Sequence, residues 1–245
     1  IKNVQSQVSE ILQAHQDHHL YSNNLFKDLL LKKIVEVINC IDQCKAFLDE
    51  VSASCIIVST THSYISRILT LAALERGIPT ICMQHGIIGS EIGYIPKIAT
   101  VDAVYGSYEL DWYKERGAPE ELVEVIGHPR FDQAFQSSIR SHDELYDKLG
   151  LDPSKKTIML VVRNIPKWRF FDNKWRILIN SITKDLDLNI LIKDYPNDAP
   201  HPLTEEFAFA YSTLSYSLYD IVHLVDCVVA YRSTVGLEAM LANKP

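Results

Sequence analysis

The feature that most constrains the fold is a regular alternation of short apolar runs with longer segments whose apolar residues recur at helical spacing. Each apolar run is continuous, as in strands that a parallel sheet buries on both faces. We assign as strands the runs at 55–58, 80–83, 103–105, 123–126, 157–162, 188–192, 207–211 and 227–230. This alternation predicts an α/β protein built on doubly wound parallel sheets.

Length and local composition predict two domains. The 245 residues suffice for two cores of about 110–130 residues each. A polar helical stretch precedes the strand that opens at residue 157, so we predict a first Rossmann-like domain at 1–135, a linker at 136–155 and a second domain at 156–245. Residues 1–50 are predicted to be helical, with a break near 21–24. The chain opens on Ile1 rather than Met, and Pro245 follows a segment that would normally lead into another strand. We therefore expect both domains to be incomplete and the chain to be truncated at both ends.

The charge balance argues against nucleic acid as a partner. The chain has 24 Lys and Arg against 31 Asp and Glu, a net charge of −7, whereas binding to a phosphate backbone needs clustered cations. No apolar run reaches the ~18 residues of a transmembrane helix. We predict a cytoplasmic protein and leave open a peripheral contact with the inner face of the cell membrane.

Cysteine and histidine spacing gives a weak hint of a metal site, which we do not adopt. Cys40 and Cys44 lie one helical turn apart, and His15 and His19 share the same spacing upstream. The order is the reverse of the usual Cys-then-His arrangement, and helical neighbours acquire this spacing by chance. We predict no metal and no cofactor, and interpret the five cysteines as core thiols.

An anion site is predicted directly after the last strand. Ser233, Thr234 and Gly236 open a helix there, where backbone N–H groups and hydroxyls gather at the carboxyl end of a strand. Glu238 follows in the first helical turn and can accept hydrogen bonds from two ribose hydroxyls. The alternative is a capped helix with an acidic first turn, which stabilises any protein.

Four segments occur in a fixed order: MQHGIIG at 83–89, VIGHPRFD at 125–132, LIKDYPND at 191–198 and STVGLEAMLANKP at 233–245. Together they resemble the branch of the GT-B superfamily that contains UDP-N-acetylglucosamine 2-epimerases and the CDP-glycerol glycerophosphotransferase-like enzymes of capsule and teichoic-acid synthesis. The resemblance covers about 55–245. It implies two Rossmann-like domains with parallel sheets facing a cleft, and a nucleotide bound between them.

Combined with this resemblance, the residues above give a set of candidate site positions. His85 is the candidate catalytic residue, since it lies between Gln84 and Gly86 on the turn after a strand; the alternative is a histidine held by backbone in a tight loop. The predicted nucleotide and phosphate ligands are Arg163, Lys193, Tyr195, Arg232, Ser233, Thr234, Gly236 and Glu238. Further cleft positions are Gln84, Gly86, His128 and Arg130. Tyr195 stands where the family usually has His, which removes an imidazolium from that position.

Three functions are compatible with this pattern. The first, which we favour here, is a glycosyltransferase-type enzyme that uses a nucleotide-sugar or nucleotide-alditol donor and a glycan or lipid-linked acceptor in surface polysaccharide synthesis. The second is a UDP-sugar 2-epimerase, which needs acids beside the sugar. The resemblance implies such acids at positions where this chain has Gln84 and the hydroxyl run 59–61. The third is a sugar-nucleotide-binding protein without catalysis.

Overall fold

The computed structural model describes residues 1–136, 141–162, 169–194 and 199–245. It divides into two compact units, Ile1–Gly127 and His128–Pro245. The helices of the first unit are α1 (Lys2–Ala14), α2 (Asn24–Glu50), α3 (Tyr64–Glu75) and α4 (Ser107–Glu115), and its strands are β1 (Ile56–Val58), β2 (Thr80–Met83), β3 (Val101–Val104) and β4 (Val123–Val125).

The elements of the second unit repeat the alternation. Its helices are α5 (His142–Leu149), α6 (Arg169–Ile182), α7 (Leu203–Glu206), α8 (Leu218–Val222) and α9 (Val235–Leu241), and its strands are β5 (Lys156–Val162), β6 (Leu188–Asp194), β7 (Ala210–Ser212) and β8 (Cys227–Ala230). A 3₁₀ helix at Pro129–Phe135 opens the unit.

Among the residues that the structure describes, each unit has one four-stranded sheet in which all neighbouring strands are parallel. The strand order is β1-β2-β3-β4 in the first unit and β7-β6-β5-β8 in the second. The predicted α/β class with two Rossmann-like parallel sheets is therefore confirmed. Because all strands of a sheet run the same way, the loops that follow their carboxyl ends meet at one edge.

The core of the second unit follows from the two-residue period of its strands. Leu160 and Ile190 pack on one face of the sheet with the helix residue Ile179, whereas Met159 and Leu191 pack on the other face with Leu145, Ile221 and their neighbours. All of these side chains are fully buried. Continuous apolar strands are buried on both faces, which is the pattern that predicted them.

The division between the units differs from the predicted linker at 136–155. The compact units separate at Gly127 and His128, and within the predicted linker the helix α5 buries Leu145 and Leu149 in the core of the second unit. Polar composition suggested a connection here because α5 is amphipathic and short, with most of its surface in solvent. None of the helices within the described residues combines the length and the apolar character of a membrane span.

Candidate functional site

The candidate site of the second unit centres on a buried carboxylate. Glu238 lies in the first turn of α9 and is only 3% exposed. The Nε of Arg130 lies 3.0 Å from its Oε1, although the arginine side chain is 40% exposed. A buried charge needs such a partner, because an unpaired carboxylate would lose its hydration without compensation.

Tyr219 is the second partner of this carboxylate. Its hydroxyl lies 2.5 Å from Glu238 Oε1 and 2.9 Å from the carbonyl oxygen of Arg130. The hydroxyl has one proton and donates to one acceptor at a time, and the carboxylate oxygen is both closer and charged. Burial, followed by this hydrogen bond to Glu238, raises the pKa of Tyr219 well above its ordinary value. Tyr219 therefore stays protonated and donates to Glu238.

His128 completes what we call the Glu238 cluster: His128, Arg130, Tyr219 and Glu238. Its Nδ1 accepts a hydrogen bond from the backbone N–H of Arg130 at 3.1 Å, so the ring proton of the neutral imidazole lies on Nε2. Burial lowers the pKa of His128, the charge of Arg130 lowers it further, and Glu238 opposes both. The histidine is held neutral and presents an N–H donor.

The packing of three short segments brings these residues together. Ala134 of the 3₁₀ helix is buried with Val222 of α8 and with Ala239 and Ala242 of α9. Arg130 and Glu238 thus lie close in the structure, although they belong to segments at opposite ends of the unit. The sequence identified Glu238, Arg130 and His128 as separate candidates and missed Tyr219. The local pattern around Tyr219 shows only an aromatic residue with a hydroxyl group on a short helix that Ser217 caps.

The loop between β8 and α9 contains an unusual backbone conformation. Arg232 has a φ of 50°, in the left-handed region that residues other than glycine rarely adopt. The hydroxyl of Ser233 accepts a hydrogen bond from the backbone N–H of Val235 at 3.3 Å, while Thr234 occupies the N-cap without a side-chain cap. A Cβ on Gly236 would meet only Ala230, at an ordinary 3.7 Å, so packing within the chain does not require glycine there.

The remaining predicted phosphate ligands are only partly described. Lys193, near the end of β6, donates to the carbonyl oxygen of Tyr216 at 3.0 Å. This bond fixes its ammonium group at the carboxyl edge of the sheet. Arg163 and Tyr195 lie outside the described residues.

In the first unit, His85 is exposed, and a backbone carbonyl group orients its ring. Its Nδ1 lies 3.0 Å from the carbonyl oxygen of Ser59, and a carbonyl only accepts, so Nδ1 carries the proton and Nε2 is the basic nitrogen. The ring lies parallel to that of Tyr94, with 6.5 Å between centroids. This contact fits both a histidine placed for proton transfer and the alternative of a histidine held by backbone in a tight loop.

Gln84, which was predicted to lie in the cleft, is engaged by hydrogen bonds within the first unit. The residue is 4% exposed; its Nε2 donates to the carbonyl oxygen of Gly86 at 2.9 Å and to Glu109 Oε1 at 3.2 Å, and its Oε1 accepts from the N–H of Tyr105 at 3.0 Å. Glu109 in turn accepts from the backbone N–H of Gly106 at 3.0 Å. The amide ties the ends of β2 and β3 together and leaves no donor for a ligand.

A second buried charge pair lies in the first unit, near the start of β3. Lys97 Nζ and Asp102 Oδ2 are 3.2 Å apart, and both side chains are almost completely buried. Burial raises the pKa of Asp102, and Lys97 opposes that rise. Sequence reasoning missed this pair because Asp102 interrupts an otherwise apolar strand without any motif.

The described residues show no group of three or more His, Cys, Asp or Glu side chains that can hold a metal ion. Cys40 and Cys44 are buried with their sulfur atoms 4.0 Å apart. Their spacing reflects neighbouring positions on α2, which pack into the core with Leu48 and Ala73.

Comparison with known proteins gives matches among solved structures. Three of these are a UDP-N-acetylglucosamine 2-epimerase from Rickettsia bellii (19% identity, TM-score 0.59), S. aureus MnaA solved with UDP (15%, TM-score 0.64) and the UDP-GlcNAc 2-epimerase of Methanocaldococcus jannaschii in complex with UDP-GlcNAc and UDP (12%, TM-score 0.64). Each match covers 85% of this chain and, respectively, 59%, 60% and 63% of the solved chain. The chain therefore spans about three fifths of these structures.

No protein-family model and no curated protein matches the chain. The structural matches nevertheless correct the function favoured from sequence. The glycosyltransferase hypothesis is wrong, because the solved structures that this chain resembles include several UDP-GlcNAc 2-epimerases, and these favour the epimerase alternative. The resemblance to the epimerase branch is confirmed at the level of the fold, whereas nothing confirms its CDP-glycerol part. The chain has the GT-B-like fold that these epimerases share.

Proposed function

We propose that this chain binds a UDP-sugar and acts as an enzyme of the UDP-sugar 2-epimerase type. The observation that carries the proposal is the buried carboxylate of Glu238, held by Arg130 and Tyr219 on a fold whose solved examples include complexes with UDP and UDP-GlcNAc. Ribose hydroxyls are donors that match a carboxylate, and a charge-assisted hydrogen bond is about twice as strong as a neutral one. Ser233, Thr234 and Lys193 are proposed to contact the diphosphate.

Epimerisation at C2 breaks the C2–H bond together with the C1–O bond to UDP, which leaves a glycal. Both bonds then form again, with the new C2–H bond on the opposite face, so the chain must supply a group that removes and returns a proton. The two carboxylates Glu109 and Asp102 are buried and engaged by neighbouring groups of the first unit, so neither is suited to this step. His85 is exposed and presents its basic Nε2. We assign the proton transfer to this nitrogen, since histidine is the commonest general acid and base in enzymes.

The test is incubation of the full chain with UDP-GlcNAc in deuterated water, followed by proton NMR. We expect deuterium to replace hydrogen at C2 of the sugar and the signal of the epimer to appear. His85→Asn keeps an N–H that can donate to the Ser59 carbonyl but removes the base, and exchange should fall at least about a hundredfold. His18→Asn, in the turn between α1 and α2, is the matched control and should exchange at the wild-type rate.

A second candidate is a sugar-nucleotide-binding protein without catalysis. The observation that favours it is Gln84, a fully engaged amide at a position where the resemblance implies an acid. The same experiment separates the two functions. Binding of UDP-GlcNAc without deuterium exchange supports the binding protein, exchange supports the epimerase, and absence of binding contradicts both.

A further inference from the structure

The tyrosine of the Glu238 cluster has a contact that the proposed function does not explain. The hydroxyl of Tyr219 and the Nε of Arg130 both reach the same carboxylate oxygen, Oε1, at 2.5 Å and 3.0 Å. The tyrosine makes a hydrogen bond, whereas the arginine forms an ion pair in which its Nε lacks hydrogen-bond geometry. Both contacts fall on Oε1.

The two partners differ in how firmly they can hold the carboxylate. The side chain of Arg130 is 40% exposed and lies at the surface on a long flexible stem. Tyr219 has only two side-chain torsions, and α8 is anchored by Ile221 and Val222, which are fully buried. Tyr219 therefore restricts rotation of the carboxylate about its Cγ–Cδ bond more tightly than Arg130 does.

From this geometry we infer that Tyr219 is a positioning residue: it holds Oε1 of Glu238 so that Oε2 is presented to the 2′-hydroxyl of a bound nucleotide. The inference rests on the proposed function. It makes the site selective for ribonucleoside diphosphates over their 2′-deoxy counterparts, because the deoxy sugar lacks the hydroxyl that donates to the fixed oxygen. A site that binds through phosphate contacts alone does not distinguish the two.

A merely structural Tyr219 has a different consequence. If its hydroxyl only braces α8 against the 3₁₀ helix through the carbonyl of Arg130, its removal loosens the site for every ligand alike. The two roles therefore separate in the ratio of affinities for UDP and 2′-deoxy-UDP, and the affinity for UDP alone does not separate them.

The experiment is calorimetric titration of UDP and 2′-deoxy-UDP into the full chain, as wild type and as Tyr219→Phe. We expect the wild type to prefer UDP by about tenfold or more, the value of one charge-assisted hydrogen bond. In Tyr219→Phe the affinity for UDP should fall by roughly five- to tenfold, while that for 2′-deoxy-UDP changes less than about twofold. The preference for UDP should almost disappear.

Tyr146→Phe is the matched control. Its hydroxyl also makes a hydrogen bond inside the second unit, to Thr157 Oγ1 at 3.2 Å, and its loss should leave both affinities unchanged. If the affinities of Tyr219→Phe for both ligands fall equally, the inference is overturned and the proposed function stands. The same holds if the wild type binds both ligands with equal affinity. A wild type that binds neither overturns the proposed function together with the inference.

Discussion

Arg130 and Glu238 form an ion pair with 3.0 Å between Nε and Oε1, which joins the 3₁₀ helix that opens the second unit to the helix α9 near the end of the chain. The two sequence segments that contain these residues were each linked to a nucleotide-binding family, but as separate features. In the structure they form one cluster. Glu238 consequently has a structural role as well as the proposed binding role, and a single substitution disturbs both.

The first prediction separates these two roles by comparing Glu238→Ala with Glu238→Gln. Alanine removes the opposite charge beside the partly buried Arg130 and the carboxylate that accepts from Tyr219, whose hydroxyl keeps only the carbonyl of Arg130 as an acceptor. This should lower the free energy of unfolding by about 1–3 kcal/mol. Glutamine keeps an oxygen for Tyr219 and should cost less than about 1 kcal/mol. Both should weaken UDP binding about tenfold, because both remove the charged acceptor. Urea denaturation and calorimetric titration measure the two effects.

An exposed ion pair of the same unit provides the control. Arg176 Nε lies 2.6 Å from Glu206 Oε2, with both side chains partly exposed. Glu206→Ala should change stability by less than about 1 kcal/mol and leave UDP binding unaltered. If Glu238→Gln binds UDP as tightly as the wild type does, the carboxylate is structural and the proposed ribose contact is wrong.

The second prediction concerns the titration of His128. Its pKa should lie below the ordinary histidine value, because burial and the charge of Arg130 both disfavour the imidazolium. Since the unfolded chain then binds the proton more readily, this residue lowers stability as the pH falls through the ordinary histidine pKa, and has no such effect above it. NMR of the histidine Cε1 protons as a function of pH measures the value directly.

Substitutions in the Glu238 cluster should move that pKa in opposite directions. Glu238→Gln removes the charge that favours the imidazolium, so the pKa of His128 should fall further. Arg130→Gln removes the opposing charge, so the pKa should rise towards the ordinary value. Shifts in the reverse sense would mean that His128 does not lie in the electrostatic field described for it.

The third prediction tests a close approach in the first unit. Gly93 has a φ of 90°, and a Cβ there would lie 2.6 Å from the Cβ of His62 and 2.3 Å from its Nδ1. Gly93→Ala therefore combines backbone strain with a steric clash, and should lower the free energy of unfolding by roughly 2–5 kcal/mol. Gly77 has a φ of 70° with nothing within 4 Å, so Gly77→Ala should cost only about 1–2 kcal/mol of strain. Equal losses in the two variants would contradict the clash; thermal or urea unfolding measures both.

How far the sequence predicted the fold depends on how local each signal is. Continuous apolar strands and the break between α1 and α2 depend on neighbouring residues, and the prediction placed both close to where they lie. The unit boundary at Gly127 and His128 depends on which core the side chains of α5 enter, which a polar composition does not reveal. The packing of α5 thus places in the second unit a segment that local composition assigned to a linker.

The candidate site shows the same division. Ser233, Thr234 and Glu238 form a contiguous motif after a strand, so the sequence could identify them. The contact of Tyr219 with Glu238 joins two helices through the packing of Val222 against Ala239, and no spacing in the chain indicates it. Gln84 was placed correctly at a strand end. Its hydrogen bonds with Glu109, Gly86 and Tyr105 include partners that only the fold brings close to it.

The last prediction concerns an acid introduced at position 84. Gln84→Glu replaces two N–H donors with a carboxyl group, and sets it against the Glu109 carboxylate oxygen that now accepts at 3.2 Å. Two buried carboxylates at this distance cannot both ionise, so the new group should have a raised pKa. The folded chain then binds a proton that the unfolded chain releases, and the loss of stability should grow as the pH rises above the ordinary glutamate pKa. We expect the free energy of unfolding to be lower than that of the wild type by about 2–4 kcal/mol at pH 8 and by clearly less at pH 5, measured by urea denaturation.

Gln43→Glu, on the exposed surface of α2, is the control and should change stability by less than about 0.5 kcal/mol at either pH. A deficit independent of pH would mean that the new carboxyl group turns away from Glu109. The pH-dependent result would instead show that this shell of hydrogen bonds selects an amide, so that proton transfer in this chain has to come from a group other than residue 84.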